Sequence, residues 1–271
     1  MANGSPRKIS LMNINLAPHK KIYFASDQHF GAPNPALSKQ REDKFIRWLN
    51  EIKADAQVLF LMGDLFDFWH EWKYVIPKGF VRVLGKLAEL KDSGIEIHFF
   101  IGNHDLWMKD YFEKEIGASV YFEKQDAEIS GTKFLLAHGD GLGPGDKGYK
   151  RMKKLFTNPL AQWAFKWLHP DIAMKIAFYF SQKNKMISGE EDKEFLGEDK
   201  EFLIIYSKEK LKTQKIDYFI YGHRHLPMVL DLNQGQAKYV NLGDWISYFT
   251  YGVFDGQQFE LKSFERESSS L

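Results

Sequence analysis

The 271-residue chain contains no cysteine. That excludes disulfides, thiolate metal sites and a cysteine nucleophile, and it fits a reducing compartment. It also has no long hydrophobic run. The greasiest stretch, 160–180, is broken by Lys166, His169, Pro170, Asp171 and Lys175, and a spanning helix needs about 20 apolar residues. Residues 1–18 lack the apolar segment of a secretion signal, so a cytoplasmic location is expected. Excess charge is missing as well: Lys+Arg 37 against Asp+Glu 36 leaves +1. No global basic field therefore draws the chain to nucleic acid. What it has is apolar and aromatic substance, 44% and 15%, enough to bury a real core and to exclude disorder.

Up to about residue 140, short apolar runs alternate with segments of helical period. Residues 21–25, 58–62, 95–101 and 134–137 read as buried strands; 41–53, 79–92 and 106–116 read as helices. This alternation predicts a layered α/β fold with a largely parallel sheet. The last 55 residues carry short strands at 216–221, 228–232, 237–240, 248–254 and 259–264, which suggests a second, more antiparallel sheet packed on the first. Between the blocks lies a helical insertion, about 147–213. Its first part, 147–186, holds nine Lys/Arg and one acid, Asp171. Then Glu-Asp-Lys-Glu-Phe-Leu occurs twice, at 191–196 and 198–203. The seven-residue offset places both Phe-Leu pairs on one face of an expected amphipathic helix.

The chemistry sits at strand ends. Asp27-Gln28-His29 follows the first strand, Gly63-Asp64 the second, Gly102-Asn103-His104-Asp105 the third and His138-Gly139-Asp140 the fourth; Gly222-His223-Arg224-His225 follows the strand at 216–221. A single such Asp or His is commonly a turn former. Five strand ends that each deliver an oxygen or imidazole ligand beside glycine point to one crevice, because loops at the carboxyl ends of strands converge. The remaining histidines (19, 70, 98 and 169) fall outside these loops and read as packing or surface residues. Asp, Asn and His without Cys suit Mn, Fe, Co or Zn. The ligands suffice for two ions sharing one carboxylate, the arrangement that clamps the attacking and leaving oxygens of an in-line phosphoryl displacement.

As an ordered set, these motifs resemble the calcineurin-like metallophosphoesterase superfamily over most of the chain. The resemblance implies a single four-layer α/β/β/α sandwich spanning 1–271, with 147–213 as an inserted helical hairpin. It implies two divalent ions, usually Mn2+. Asp27, His29 and His225 would hold one, Asn103, His138 and His223 the other, with Asp64 bridging. His104 would act on the developing charge or leaving group, and Asp105 would orient its imidazole. A narrower similarity is to the branch that splits the pyrophosphate of UDP-2,3-diacylglucosamine in lipid A synthesis, at the cytoplasmic face of the inner membrane. It is carried by Gly63-Asp64-Leu65-Phe66-Asp67-Phe68-Trp69, by His138-Gly139-Asp140 with Asp146 and Tyr149 beyond, by the helical insertion, by Gly222-His223-Arg224-His225-Leu226-Pro227, and by Asn241-Leu242-Gly243-Asp244-Trp245. By that similarity Asp146, Ser181, Asn184 and Lys185 are candidate contacts to the sugar and phosphates; Arg151 joins them on its charge alone. His104 stands where proteobacterial members of that branch carry Arg, and it is the residue of the superfamily at large.

The insertion gives a separate reason to expect a lipid. Tyr149, Met152, Leu155, Phe156, Leu160, Trp163, Ala164 and Trp167 recur at helical spacing. A second helix opening at Pro170 carries Ile172, Ala173, Met174, Ile176, Ala177, Phe178, Tyr179 and Phe180. Such surplus apolar surface beside cations fits an interfacial element or a lid over acyl chains; packing on the sandwich or on a second subunit is the alternative. The expected partner is thus a UDP-linked diacyl sugar lipid at a membrane surface, with no nucleic acid and no obligate protein partner. Two competing readings stay open: a dinuclear enzyme for another phosphodiester or phosphomonoester (a cyclic nucleotide or a phosphoprotein), and a metal-free scaffold.

Overall fold

The computed structural model describes residues 11–144, 147–188 and 194–264; within the helices, the side chains of 147–149, 151–152 and 180–188 are outside that description. In chain order the elements begin with β1 (Met12–Ile14), β2 (Lys21–Ala25), α1 (Pro35–Ile52), β3 (Ala56–Leu61), α2 (Val81–Asp92) and β4 (Glu96–Phe100). A π-helical turn (Phe112–Ile116) leads to β5 (Ser119–Tyr121), β6 (Gln125–Ile129) and β7 (Thr132–Leu136). Then come α3 (Lys147–Phe156), α4 (Pro159–Lys166), α5 (Pro170–Ser188) and α6 (Phe202–Leu211). The chain ends in β8 (Tyr218–Tyr221), β9 (Met228–Leu232), β10 (Ala237–Asn241), β11 (Thr250–Phe254) and β12 (Phe259–Ser263).

Two six-stranded mixed sheets form, in the orders β12-β11-β2-β3-β4-β5 and β1-β6-β7-β8-β10-β9. Strand alternation explains how they stack. Ile22 and Phe24 of β2, Val58 and Phe60 of β3, and Phe134 and Leu136 of β7 meet in one core between the sheets. The intervening residues point the other way. Tyr23, Leu59 and Leu61 pack under α1 and α2, whereas Leu135 and Phe219 pack under α6. Central strands are thus buried on both faces, which is why they read as unbroken apolar runs. The layers are helices, sheet, sheet, helix: the α/β/β/α sandwich that the motif resemblance implied.

The chain reaches this sandwich by a different partition from the one its order suggests. The strands after 216 do not form a sheet of their own. β8, β9 and β10 extend the sheet of β6 and β7, with β8 parallel to β7, whereas β11 pairs antiparallel with β2 and brings β12 to the edge of the other sheet. β7, expected beside the first three strands, belongs to the second sheet. β1 and β5 are three residues each and β6 is half polar, too short or too mixed to show as buried runs. The helix expected at 106–116 shrinks to its last turn. Amides 109–111 donate instead to the carboxylate of Glu71, and Trp107 bridges to His70.

The insertion differs likewise. Asn158 caps α4 through the amides of 160 and 161, with Pro159 at its first position, so the first helix of the expected hairpin is two helices, α3 and α4. The repeat at 191–203 is not one helix. Gly197 sits at φ +92 and α6 begins only at Phe202. Residues 191–193 lie outside the described residues. Phe195 and Leu196 are exposed while Leu203 of the second copy is fully buried.

Candidate metal centre

The five strand-end loops meet above the carboxyl ends of β2, β3, β4, β7 and β8. Asp27, His29, Asp64, His223 and His225 all take left-handed backbone, φ 46 to 68. Non-glycine residues hold that conformation at a cost of about 1–3 kcal/mol each, and such strain concentrates at functional sites. Two glycines make the crowding possible. At Gly63, φ +102, a Cβ would overlap the His138 ring; at Gly222 it would overlap the Ser26 hydroxyl and press on the Asp27 carboxylate.

Imidazole and carboxylate atoms converge in the crevice. His225 Nε2 lies 3.3 Å from Asp27 Oδ1 and 3.2 Å from His29 Nε2. His29 Nε2 is 3.8 Å from Asp27 Oδ1 and 3.7 Å from Asp64 Oδ2. On the other side of Asp64, His138 Nε2 stands 3.3 Å from the same Oδ2 and 3.2 Å from Asn103 Oδ1; His223 Nδ1 is 2.9 Å from that amide oxygen. The structure thus brings together all seven residues anticipated as ligands. Three overlapping groups (Asp27, His29, His225; His29, Asp64, His104; Asp27, Asp64, His138) each have ligand atoms within 4.8 Å of one another.

Neighbouring backbone and carboxylates fix which ring nitrogen faces inward. His138 Nδ1 donates to Met62 O at 2.8 Å, leaving Nε2 toward Asp64. His225 Nδ1 is 3.4 Å from Asp244 Oδ2, and Asp244 is itself held by the amides of 246, 247 and 248. His29 Nδ1 lies 3.6 Å from Asp67 Oδ1, facing that carboxylate without a hydrogen bond to it. Outer partners of this kind orient imidazole ligands in metal sites. Arg41 of α1 anchors the His29 loop by donating to the carbonyls of Gln28, His29 and Ala32.

His104 presents one correction. Asp105 was expected to orient its ring, but the hydrogen bond is made by His104 Nδ1 to Asp67 O, at 2.7 Å. Asp105 instead accepts from the amides of Leu65 and Phe66, bracing the loop that carries Asp64. Burial and the nearby Asp64 push the Asp105 carboxyl well above the ordinary range, against those two amides. Asp67, Asp244 and Arg41 were assigned no role from sequence. The first two lie within strand-end motifs, Asp67 four residues past Gly63 and Asp244 directly after Gly243, and an Asp so close behind a loop Gly was the available signal. Arg41 looked like any helix cation. Asp146 lies outside the described residues, as do the side chains of Arg151, Ser181, Asn184 and Lys185.

Two adjacent cations fit this constellation. Ligand atoms about 2.1 Å from one ion and at right angles to each other lie about 3 Å apart, close to the separations found. Asp27 Oδ1 is fully buried with no hydrogen-bond partner among the described residues, an arrangement costly unless a cation meets it. In the metal-free chain protons take that place. Burial opposes charge on His138, yet Asp64 together with Asp27 and Asp140 outweighs it and raises the pKa to about 10; Asp27 and Asp244 likewise raise His225 to about 10. Asp27 and Asp64 are correspondingly held below the ordinary carboxylate range, despite their burial, chiefly by His225 and His138. The donor set is oxygen and imidazole, suited to Mn, Fe, Co or Zn and indifferent to which.

Known proteins share this layout. A family model described as calcineurin-like phosphoesterase matches residues 20–227, which hold every ligand candidate. The UDP-2,3-diacylglucosamine hydrolase of Porphyromonas gingivalis is 41% identical over 258 residues, covering 90% of this chain and 98% of that protein. Proteins of the same name from Edwardsiella ictaluri and Hahella chejuensis are each 28% identical; they cover 88% and 90% of this chain, and 90% and 97% of their own lengths. With the family's strand-end ligands gathered around a single crevice and its model spanning most of the sequence, the chain belongs to the calcineurin-like phosphoesterases and is a hydrolase.

Proposed function

We propose that the chain hydrolyses the pyrophosphate of UDP-2,3-diacylglucosamine, giving UMP and 2,3-diacylglucosamine 1-phosphate, with two divalent ions, Mn2+ foremost, held by Asp27, His29 and His225 and by Asn103, His138 and His223, and with Asp64 between them. The observation that carries the substrate is the placement of the insertion against the metal centre. Phe165 of α4 packs on Phe68, His70 and Trp107, residues of the loops that hold Asp67 and His104. Trp107 Nε1 donates to Phe156 O at 2.6 Å, and Lys153 of α3 pairs with Asp140 beside His138. The outer surface of this roof is apolar: Leu160 and Trp167 are each 75% exposed and Trp163 61%. Lys154, Lys166 and Lys175, one on each of α3, α4 and α5, are exposed as well. An acyl-bearing, phosphate-bearing substrate matches such a surface, and so does a peripheral seat on a membrane. None of the described helices is long and apolar enough to cross one.

When bound between these residues, divalent cations would supply Lewis-acid catalysis of in-line displacement at phosphorus. The chain's own residues arrange the rest. His104 Nδ1, tied to Asp67 O, turns Nε2 toward the shared crevice, where it can hydrogen-bond a phosphate oxygen or give a proton to the leaving group. Burial lowers the pKa of His104, partly countered by Asp64; with its one proton on Nδ1 the neutral ring has a bare Nε2, which becomes a donor only as the imidazolium, when a phosphate's charge draws a second proton there.

The test is release of UMP from UDP-2,3-diacylglucosamine and from UDP-N-acetylglucosamine with Mn2+. Strong preference for the acylated substrate is expected, and replacing Trp163 and Trp167 together by Ser should raise KM for it. Equal turnover of both substrates would remove the lipid from the reading and leave a phosphodiesterase of other specificity.

A further inference from the structure

Arg224 stands between two expected ligands, His223 and His225, and faces away from both. Its side chain is buried and grips Glu201 as a fork: Nε donates to Oε2 and Nη2 to Oε1, each at 3.0 Å, while Nη2 also reaches Glu194 O at 3.0 Å. Glu201 is 2% exposed. It is the residue before α6, accepts from the Leu196 amide, and thereby fastens the returning end of the insertion. The backbone at 222–225 needs such a hold, because His223 and His225 are both left-handed and the Arg224 amide turns back onto Gly222 O at 2.8 Å. The first residues of α6 also border the site: the Phe202 ring lies edge-on to His223, 6.1 Å between centroids, and Leu203 packs beside Gly139, the residue after His138.

Burying such a pair gives little net stability, since desolvation consumes most of the attraction; apolar pairs of equal bulk often serve as well or better. Its use is therefore geometric. We propose that Glu201 and Arg224 are positioning residues for the metal centre, and that their bidentate pair locks the 222–225 loop so that His223 and His225 reach the two ions, linking attachment of the insertion to metal affinity. The inference rests on the metal reading above.

The experiment measures Mn2+ binding to chelator-stripped full-length protein by calorimetry, alongside the melting temperature of the metal-free form. Glu201→Gln leaves a buried guanidinium half paired and should lower both. The decisive variant is Glu201→Met combined with Arg224→Met. It should melt like the parent without metal, yet bind Mn2+ about 10–100-fold more weakly, the usual cost of losing an outer-shell support. If the double variant regains parental affinity, the pair only neutralises charge and the proposal fails. Should that variant not fold, Arg224→Lys decides: it keeps the charge but loses the fork, so weaker Mn2+ binding supports the proposal and unaltered binding overturns it. Failure of the parent to bind two Mn2+ would instead remove the metal reading.

Discussion

Asp64 and His104 sit in the same crevice with different work, and substitutions separate them. Asp64 Oδ2 lies between His29 and His138 at 3.7 and 3.3 Å, so this carboxylate oxygen is within reach of both halves of the site. Asp64→Ala should abolish activity together with tight Mn2+ binding, read by metal analysis of the purified variant. His104→Ala should keep both ions, because the remaining ligands are untouched, and lose about 100–1000-fold in kcat, the scale of a group acting on developing charge. Substantial metal loss in His104→Ala would make that imidazole a ligand instead. Asp67 becomes more consequential than Asp105 in this account, since it meets both His29 and His104.

At the scale of elements, α4 is seated by one aromatic side chain. Phe165 enters a cage of Phe68, Trp107 and His70. His70 is 1% exposed, and neither of its ring nitrogens has a hydrogen-bond partner among the described residues. Burial, with Lys109 and Lys166 adding repulsion, lowers its pKa to about 4. The unfolded chain takes up this proton near pH 6.5, so the stability that neutral His70 contributes is present above 6.5 and is lost as pH falls toward 4. His70→Phe should remove that part of the acid sensitivity. Urea midpoints of parent and variant, compared from pH 7 to pH 4.5, should converge on the variant's flatter profile only above pH 6.5. An equal decline in both would place the acid sensitivity elsewhere.

The whole molecule is two sheets whose common rim is the site. Asp27, Asp64 and Asn103 follow strands of one sheet; His138, His223 and His225 follow strands of the other. Ions held between them would therefore cross-link the sandwich, and binding to the folded state alone would raise stability with ligand concentration, by about 2.7 kcal/mol for a site at 100 times its Kd. Protons compete for the same atoms. His138 and His225, raised to about 10 in the metal-free fold, contribute stability that is complete below pH 6.5 and fades as pH rises toward 10. Mn2+ must displace those protons. The rise in Tm on adding Mn2+ should accordingly grow from pH 6 to pH 9 in scanning calorimetry; a constant rise would mean that these histidines hold no proton in the free protein.

Much of this was legible along the chain. Buried strands announce themselves as apolar runs because both faces are covered, and strand-end Asp, Asn and His beside glycine announce a crevice because carboxyl-end loops converge. Sequence alone fixed which groups are present and therefore the kind of chemistry: oxygen and imidazole ligands, no thiol, no excess charge. Order along the chain could not say that β11 leaves its neighbours to pair with β2, since pairing is decided by which edge lies open once the sheets stack. Nor could it say that Glu71 would take the amides of 109–111, that Asp67 rather than Asp105 would hold His104, or that Arg224 would find Glu201. Those are contacts between side chains distant in sequence, and only packing brings them within hydrogen-bond reach.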